Sequence, residues 1–218
     1  MRLESLRGAV LNTSLQLVQE GLVSGSQGNV SAKDGASGLI AVTPSAIPYK
    51  NLRPEDICVV DPQGKIVEGL WRPTSELLLH LTIYQQNSTV GAVIHSHAPY
   101  ASVFAVAREP LPMALSESAM VLGGALPLAP YARPGSAELA QITAKALQDA
   151  VGAIMANHGM ITVGKDLDQA LQASLAAEAN ARAVILARAM GKKETALDPS
   201  EAVSLHEAFL QNYHSQRL

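Results

Sequence analysis

Two histidines separated by one residue, His95 and His97, close an apolar, β-branched run that begins at Ala92. Residues i and i+2 of a strand project from one face. The two imidazoles should therefore stand side by side at the end of a buried strand, as half of a transition-metal site. His158 lies further on, in Asn157-His158-Gly159, between the apolar runs 151–156 and 160–163. If the two strands are neighbours, three histidines converge and leave a coordination position open. That arrangement belongs to catalytic rather than closed structural metal sites. A His-x-His pair by itself also arises where the rings only hydrogen-bond, so the third histidine carries the metal reading.

A carboxylate stands where it could join them. Arg72-Pro73-Thr74-Ser75-Glu76 opens a helix expected to run through Asn87, with Leu77, Leu78, Leu81 and Tyr84 on its apolar side. Thr74 or Ser75 suits the N-cap. Hydroxyls and free N–H groups at a helix start form a ready anion site. Glu76 should fall in the first turn, where complementing the helix dipole, worth roughly 0.3–1 kcal/mol, would account for it taken alone. His80 shares its helix face and reads as a packed or hydrogen-bonded histidine. Gly25-Ser26-Gln27-Gly28-Asn29-Val30-Ser31 enters a strand through two glycines. This is either a plain turn or a backbone that a ligand can approach closely. A strand over 39–43 runs into Pro44-Ser45-Ala46, another polar strand end. Glu117 lies in an apolar stretch, as a solvated loop charge or a site residue.

The elements that must position these groups follow from periodicity. Residues 3–22 carry apolar positions at helical spacing. Residues 57–61 and 65–68 flank Pro62-Gln63-Gly64 as a hairpin. The sheet is then at least partly antiparallel and not doubly wound. Helices are expected over 98–108 and 136–150. Pro127 and Pro130 indicate edge or irregular structure within 111–130. Asp166 with Gln169 has capping-box spacing and starts an Ala-rich helix to Met190, closed by Gly191. Asp198, Pro199 and Glu201 start the last helix. Its polar-aromatic end, with Tyr213 and His214, is of a kind that is often disordered or reaches a neighbouring subunit.

Composition bounds the rest. The 218 residues are 48% hydrophobic and carry a net charge of −3, which fits one domain, residues 1–218, with a large core. No Lys/Arg run exceeds two residues, so nothing points to nucleic acid or a membrane surface. The single cysteine, Cys58, has no internal disulfide partner and reads as a buried small hydrophobe. The start is not a signal peptide, and the longest uncharged apolar stretch, 119–132, is broken by Gly and Pro. A cytoplasmic protein is expected.

Gly28-Asn29-Val30-Ser31, Thr43-Pro44-Ser45, Pro73-Thr74-Ser75-Glu76, His95-Ser96-His97 and Asn157-His158-Gly159 occur in this order at suitable intervals. Together they resemble the class II aldolase/adducin family, most closely its zinc-dependent L-fuculose-1-phosphate aldolases. The resemblance runs from about residue 3 to the C-terminus. It implies a three-layer α/β/α sandwich around a mainly antiparallel sheet, and a homotetramer with sites between subunits. It also implies retro-aldol cleavage of a ketose 1-phosphate, through a zinc-stabilised enediolate, to dihydroxyacetone phosphate and a short aldehyde. By this resemblance His95, His97 and His158 are the ligands of Zn2+ or another divalent transition metal. Glu76 is the acid/base and an initial fourth ligand. Gly28, Asn29, Ser45, Ala46, Thr74 and Ser75 are the phosphate cradle, and Tyr213 reaches the neighbouring site. Departures are Thr74 for a serine, Ala46 for a glycine, and Glu117 for a substrate-contacting tyrosine. L-Ribulose-5-phosphate 4-epimerases share the fold but carry Asp in place of Glu76. A methylthioribulose-1-phosphate dehydratase keeps the Glu. An adducin-like interaction module is the non-enzymatic alternative.

Overall fold

The computed structural model describes residues 1–215, and side chains as far as Gln211. Its eight strands are β1 (Asn29–Lys33), β2 (Ile40–Val42), β3 (Cys58–Val60), β4 (Ile66–Glu68), β5 (Ala92–Ser96), β6 (Leu128–Ala129), β7 (Gly152–Met155) and β8 (Gly159–Gly164). They form one sheet in the order β4-β3-β2-β1-β5-β8-β7-β6. Every pairing is antiparallel except β6 with β7. The helices are α1 (Glu4–Gln19), α2 (Leu77–Gln86), α3 (Pro99–Ala107), α4 (Ser116–Leu122), α5 (Ala137–Leu147), α6 (Leu167–Ala189) and α7 (Pro199–Ser215).

Strand alternation divides the molecule into layers. On β5, Ala92 and Ile94 enter one core, with residues of α1, α3, α4 and α6, while Val93 enters the other, with α2 and α5. This is the three-layer sandwich the motifs imply. β5 lies at its centre, paired with β1 on one side and β8 on the other. A strand buried on both faces usually reads as an apolar run, and the buried His95 and Ser96 that end β5 depart from it with no access to solvent. The imidazole of His95, fully buried, is therefore held by its surroundings and not by solvent.

Caps follow the sequence in part. Asp166 Oδ1 accepts from Gln169 N at 2.8 Å, and Gln169 Oε1 accepts from Lys165 N, one residue before the position an ideal capping box uses. Ser136 caps α5 through Leu139 N. Asp198 Oδ1 accepts from Ser200 N at the start of α7. Three expectations are corrected. Helix α2 begins at Leu77, with Glu76 rather than Thr74 or Ser75 in the N-cap position. Glu76 thus precedes the first turn instead of lying within it. Leu78, assigned to the apolar side, is 42% exposed, whereas Leu79, His80 and Ile83 are buried. The stretch 111–130 is also not wholly irregular. It contains α4, and its edge strand β6 follows Pro127 as the prolines suggest. Asn180 of α6 accepts from Ala114 N and Leu115 N and donates to Pro112 O, so a distant side chain satisfies the backbone leading into α4.

Candidate metal centre

The three histidines come from two places that the sheet joins. His95 is the fourth residue of β5, opposite Asn29 on β1 and Ile161 on β8, and His97 follows just past the strand end. His158 occupies the tight turn between β7 and β8, closed by its N–H donating to Met155 O at 3.0 Å. The turn is anchored from α3. Asn157, at φ 55°, donates its N–H to Ala105 O, and its Oδ1 accepts from Arg108 Nε. Gly159 must be glycine for space. A Cβ there would collide with the Ser96 carbonyl and stand 3.2 Å from His97 Cδ2 and 3.4 Å from His95 Cε1. Gly28, at φ 70°, approaches the His95 carbonyl from β1 in the same way.

The ring centroids are 4.6–5.4 Å apart, and one ligand nitrogen from each ring lies within 4.8 Å of the others. A backbone carbonyl only accepts, so the contact of His95 Nδ1 to Met160 O at 2.9 Å makes Nδ1 the protonated nitrogen. The Nε2 lone pair then faces inward, 3.0 Å from His97 Nε2 and 3.2 Å from Glu76 Oε2. This orienting bond to a carbonyl is the usual outer support of a metal-binding histidine. His158 Nε2 lies 3.5 Å from Glu76 Oε1. Glu76 Oε1 and His158 Nδ1 are buried without a hydrogen-bond partner.

Electrostatics points the same way. Burial pushes His95 down to about 3, with His158 and His97 adding to the effect against the opposing pull of Glu76. Burial likewise lowers His97, reinforced by His158. For Glu76 burial is the largest influence and opposes ionisation, yet the His95 imidazole, the Asn29 amide, His158 and His80 together hold its carboxyl below the usual range. The inward-facing Nε2 of His95, the rings of His97 and His158 and a carboxylate with an unpartnered oxygen thus converge. Such a set is costly to bury unless a cation joins it, and its nitrogens suit zinc and several other divalent transition metals.

A polar rim adjoins this cluster. Pro44 and Pro73 form an isolated bridge. Ser45 N donates to Arg72 O at 2.9 Å and Thr74 N to Thr43 O at 3.0 Å. Thr43 Oγ1 in turn accepts from Val30 N. The loops carrying Gly28–Asn29, Ser45–Ala46 and Thr74–Ser75 are so brought together, with Ser75 and Ala46 exposed and Ser45 half-buried. Ala46 has φ 61°, the left-handed region where a glycine is at ease. Glu117 is exposed on the first turn of α4. No contact among the described residues joins it to the histidines. The side chain of Tyr213 lies outside the described residues. Cys58 is buried, its thiol pushed up to about 11 by burial and directed at Trp71 O.

Sequence assigns Tyr84 to the apolar side of the helix and Ser31 only to a motif, and gives His80 a packing or hydrogen-bonding role, which its two hydrogen bonds bear out. In the structure these three join Asn29 and Glu76 in one hydrogen-bonded series. The spacing signal was present. Glu76, His80 and Tyr84 recur every fourth residue on α2, and Asn29 and Ser31 share a face of β1.

Comparison with known proteins accords with this geometry. Residues 8–185 match the family described as Class II Aldolase and Adducin N-terminal domain. An L-fuculose phosphate aldolase of Methanococcus maripaludis is 39% identical over 148 residues, 68% of this chain and 78% of that protein. A 5-deoxy-D-ribulose 1-phosphate aldolase of Bacillus thuringiensis serovar kurstaki is 31% identical, covering 78% of this chain and 79% of its own length. An L-ribulose-5-phosphate 4-epimerase of Salmonella paratyphi B is 30% identical over 97% of this chain and 96% of its own. A solved L-fuculose 1-phosphate aldolase superimposes with a TM-score of 0.90 at 33% identity, covering 94% of this chain and 96% of that one. The chain therefore belongs to the class II aldolase and adducin N-terminal domain family. Within that family it is an enzyme of the aldolase type.

Proposed function

We propose that the protein is a zinc-dependent aldolase that splits a ketose 1-phosphate of the L-fuculose 1-phosphate kind into dihydroxyacetone phosphate and a short aldehyde. The observation that carries this reading is the convergence of His95, His97 and His158 on Glu76 beside the hydroxyl-bearing rim. His95, His97 and His158 would hold the metal, with Glu76 as a further ligand before substrate arrives. Bound there, the metal supplies Lewis-acid stabilisation of negative charge that develops beside a carbonyl. The chain's own residues do the rest. Ser45, Thr74 and Ser75, with the backbone at Gly28, Asn29 and Ala46, bind the phosphate and fix the ketone next to the histidines. That remote binding supports the chemical step. Glu76 Oε1, buried and unpartnered, takes and returns the proton, a contribution typically worth ~10²–10⁴-fold.

Residues 1–218 are read as one domain, working in the cytoplasm as a homotetramer with sites between subunits. Light scattering should then return four times the 22.9 kDa chain mass. A second reading, L-ribulose-5-phosphate 4-epimerase, is favoured by the near full-length similarity to that enzyme. The presence of Glu76 in place of the epimerases' Asp weighs against it. One experiment separates them. The zinc-loaded protein is given L-fuculose 1-phosphate and, separately, L-ribulose 5-phosphate. Release of dihydroxyacetone phosphate from the first supports the aldolase. Inversion of the second without cleavage replaces it with the epimerase, and inertness toward both overturns the two readings together.

A further inference from the structure

A line of five buried side chains runs from Glu76 into the layer between the sheet and α2. Asn29 Nδ2 donates to Glu76 Oε2 at 3.0 Å. Asn29 Oδ1 lies 2.5 Å from His80 Nε2. His80 Nδ1 lies 2.7 Å from Ser31 Oγ, which is 2.7 Å from Tyr84 Oη. All five residues are less than 10% exposed, and His80 and Ser31 are fully buried.

The donors can be assigned from one end to the other. The Glu76 carboxylate only accepts, so Asn29 presents its NH2 to it and its carbonyl oxygen to His80. That oxygen needs a proton from Nε2, which leaves Nδ1 of a neutral ring as the acceptor. Ser31 then donates its single proton to Nδ1 and accepts from the Tyr84 hydroxyl. Burial pushes His80 down to about 4, in keeping with the neutral ring. Asn29, His80 and Ser31 each make two bonds in the series, so none of these three can be turned over without breaking both. An amide does not relay protons readily, so the series fixes orientation and does not conduct.

We propose, granting the reading of Glu76 as acid/base, that His80 is a positioning residue. It locks the Asn29 amide with its NH2 toward Glu76, which ties down Oε2 and leaves Oε1, 3.5 Å from His158, as the oxygen that serves the reaction. Ser31 and Tyr84 select the His80 tautomer that does this. With His80 removed, the Asn29 oxygen loses its donor and only the single bond to the Glu76 carboxylate still orients the amide.

The test uses His80→Leu, which keeps bulk and loses the donor, and His80→Gln, whose amide N–H can replace Nε2–H. Outer-shell partners typically matter by 10–100-fold. His80→Leu should lower kcat within that range, with KM and metal content little changed, and His80→Gln should recover most of it. In an Asn29→Ala background His80→Leu should add nothing, because His80 acts through Asn29. A further loss of the same size in that background, or no recovery with Gln, would assign His80 to packing alone. Nitrogen-15 NMR of the wild-type protein needs no substrate and stands if a variant fails to fold. It should show His80 as the Nε2–H tautomer, with Asn29 NH2 resonances that move in His80→Leu and return in His80→Gln. A His80 protonated at Nδ1 near pH 7 overturns the proposal. If the wild-type protein cleaves no ketose phosphate, the aldolase reading fails while the NMR result still decides what holds Asn29.

Discussion

In the proposed reaction the chemistry turns on Glu76, whose two oxygens have unlike surroundings. Oε2 is tied to Asn29 and Oε1 is free. Glu76→Gln keeps the shape and removes the base. It should retain metal bound by the three histidines while turnover drops by about 10²–10⁴-fold. Metal analysis alongside a rate assay checks both halves, and near-normal turnover would remove Glu76 from the proton step. His80 makes a prediction of a different kind. Its folded value is about 4 against an ordinary 6.5. Between those values the unfolded chain binds a proton that the folded chain does not, so stability rises with pH. The contribution is fully present above about 6.5 and is lost as pH falls toward 4, by roughly 3 kcal/mol at most. Urea unfolding of chelated protein from pH 7 to pH 4 should therefore fall less steeply for His80→Gln than for wild type. Equal slopes would mean that His80 does not titrate in this way.

At the scale of elements, the site depends on close approach of β1, β5 and the β7–β8 turn. Gly159 starts β8 where a side chain would strike the Ser96 carbonyl and crowd two histidine rings. Gly159→Ala should cost about 1–3 kcal/mol of stability, as overpacking does, and lower metal affinity as well. A thermal melt and a metal titration read the two effects, and unchanged affinity would show that the rings have room to move. Ala46 stands at the opposite limit. Its φ of 61° at an exposed loop position holds backbone strain that a glycine would relieve. Ala46→Gly should raise stability, by up to about 1 kcal/mol once the greater freedom of the unfolded glycine is deducted. A lower melting temperature would indicate that Ala46 makes contacts worth more than its strain.

For the whole molecule, the candidate metal centre lies at the strand ends of a sheet whose two faces each carry a core of buried aliphatic residues. Neither core includes the three histidines. A chelator should leave far-ultraviolet circular dichroism intact while lowering the melting temperature, and zinc should restore it. Ligation to the folded state alone is worth about 2.7 kcal/mol at a metal concentration 100 times Kd. Loss of secondary structure on chelation would instead place the metal within the folding reaction. Among the described residues no helix is long and apolar enough to cross a membrane.

The sequence by itself placed His95 and His97 side by side, because residues two apart at a strand end project to one side, and their ring centroids are 4.8 Å apart. It also determined the hairpin of β3 and β4 and the caps of α6 and α7, all of which are local. The first turn of α2 was misplaced because Thr74 and Ser75 carry good capping side chains, while the Thr74 N–H pairs with Thr43 O and holds that residue ahead of the helix. Helix α4 escaped because seven residues without a side-chain cap have little local signal, and Asn180, far along the chain, supplies what the backbone lacks. Only the tertiary structure could join His158 to the other two histidines, since that depends on β8 pairing with β5. It alone showed the Asn29–His80 series, whose hydrogen bonds link residues about fifty apart and depend on how the α2 face packs on β1.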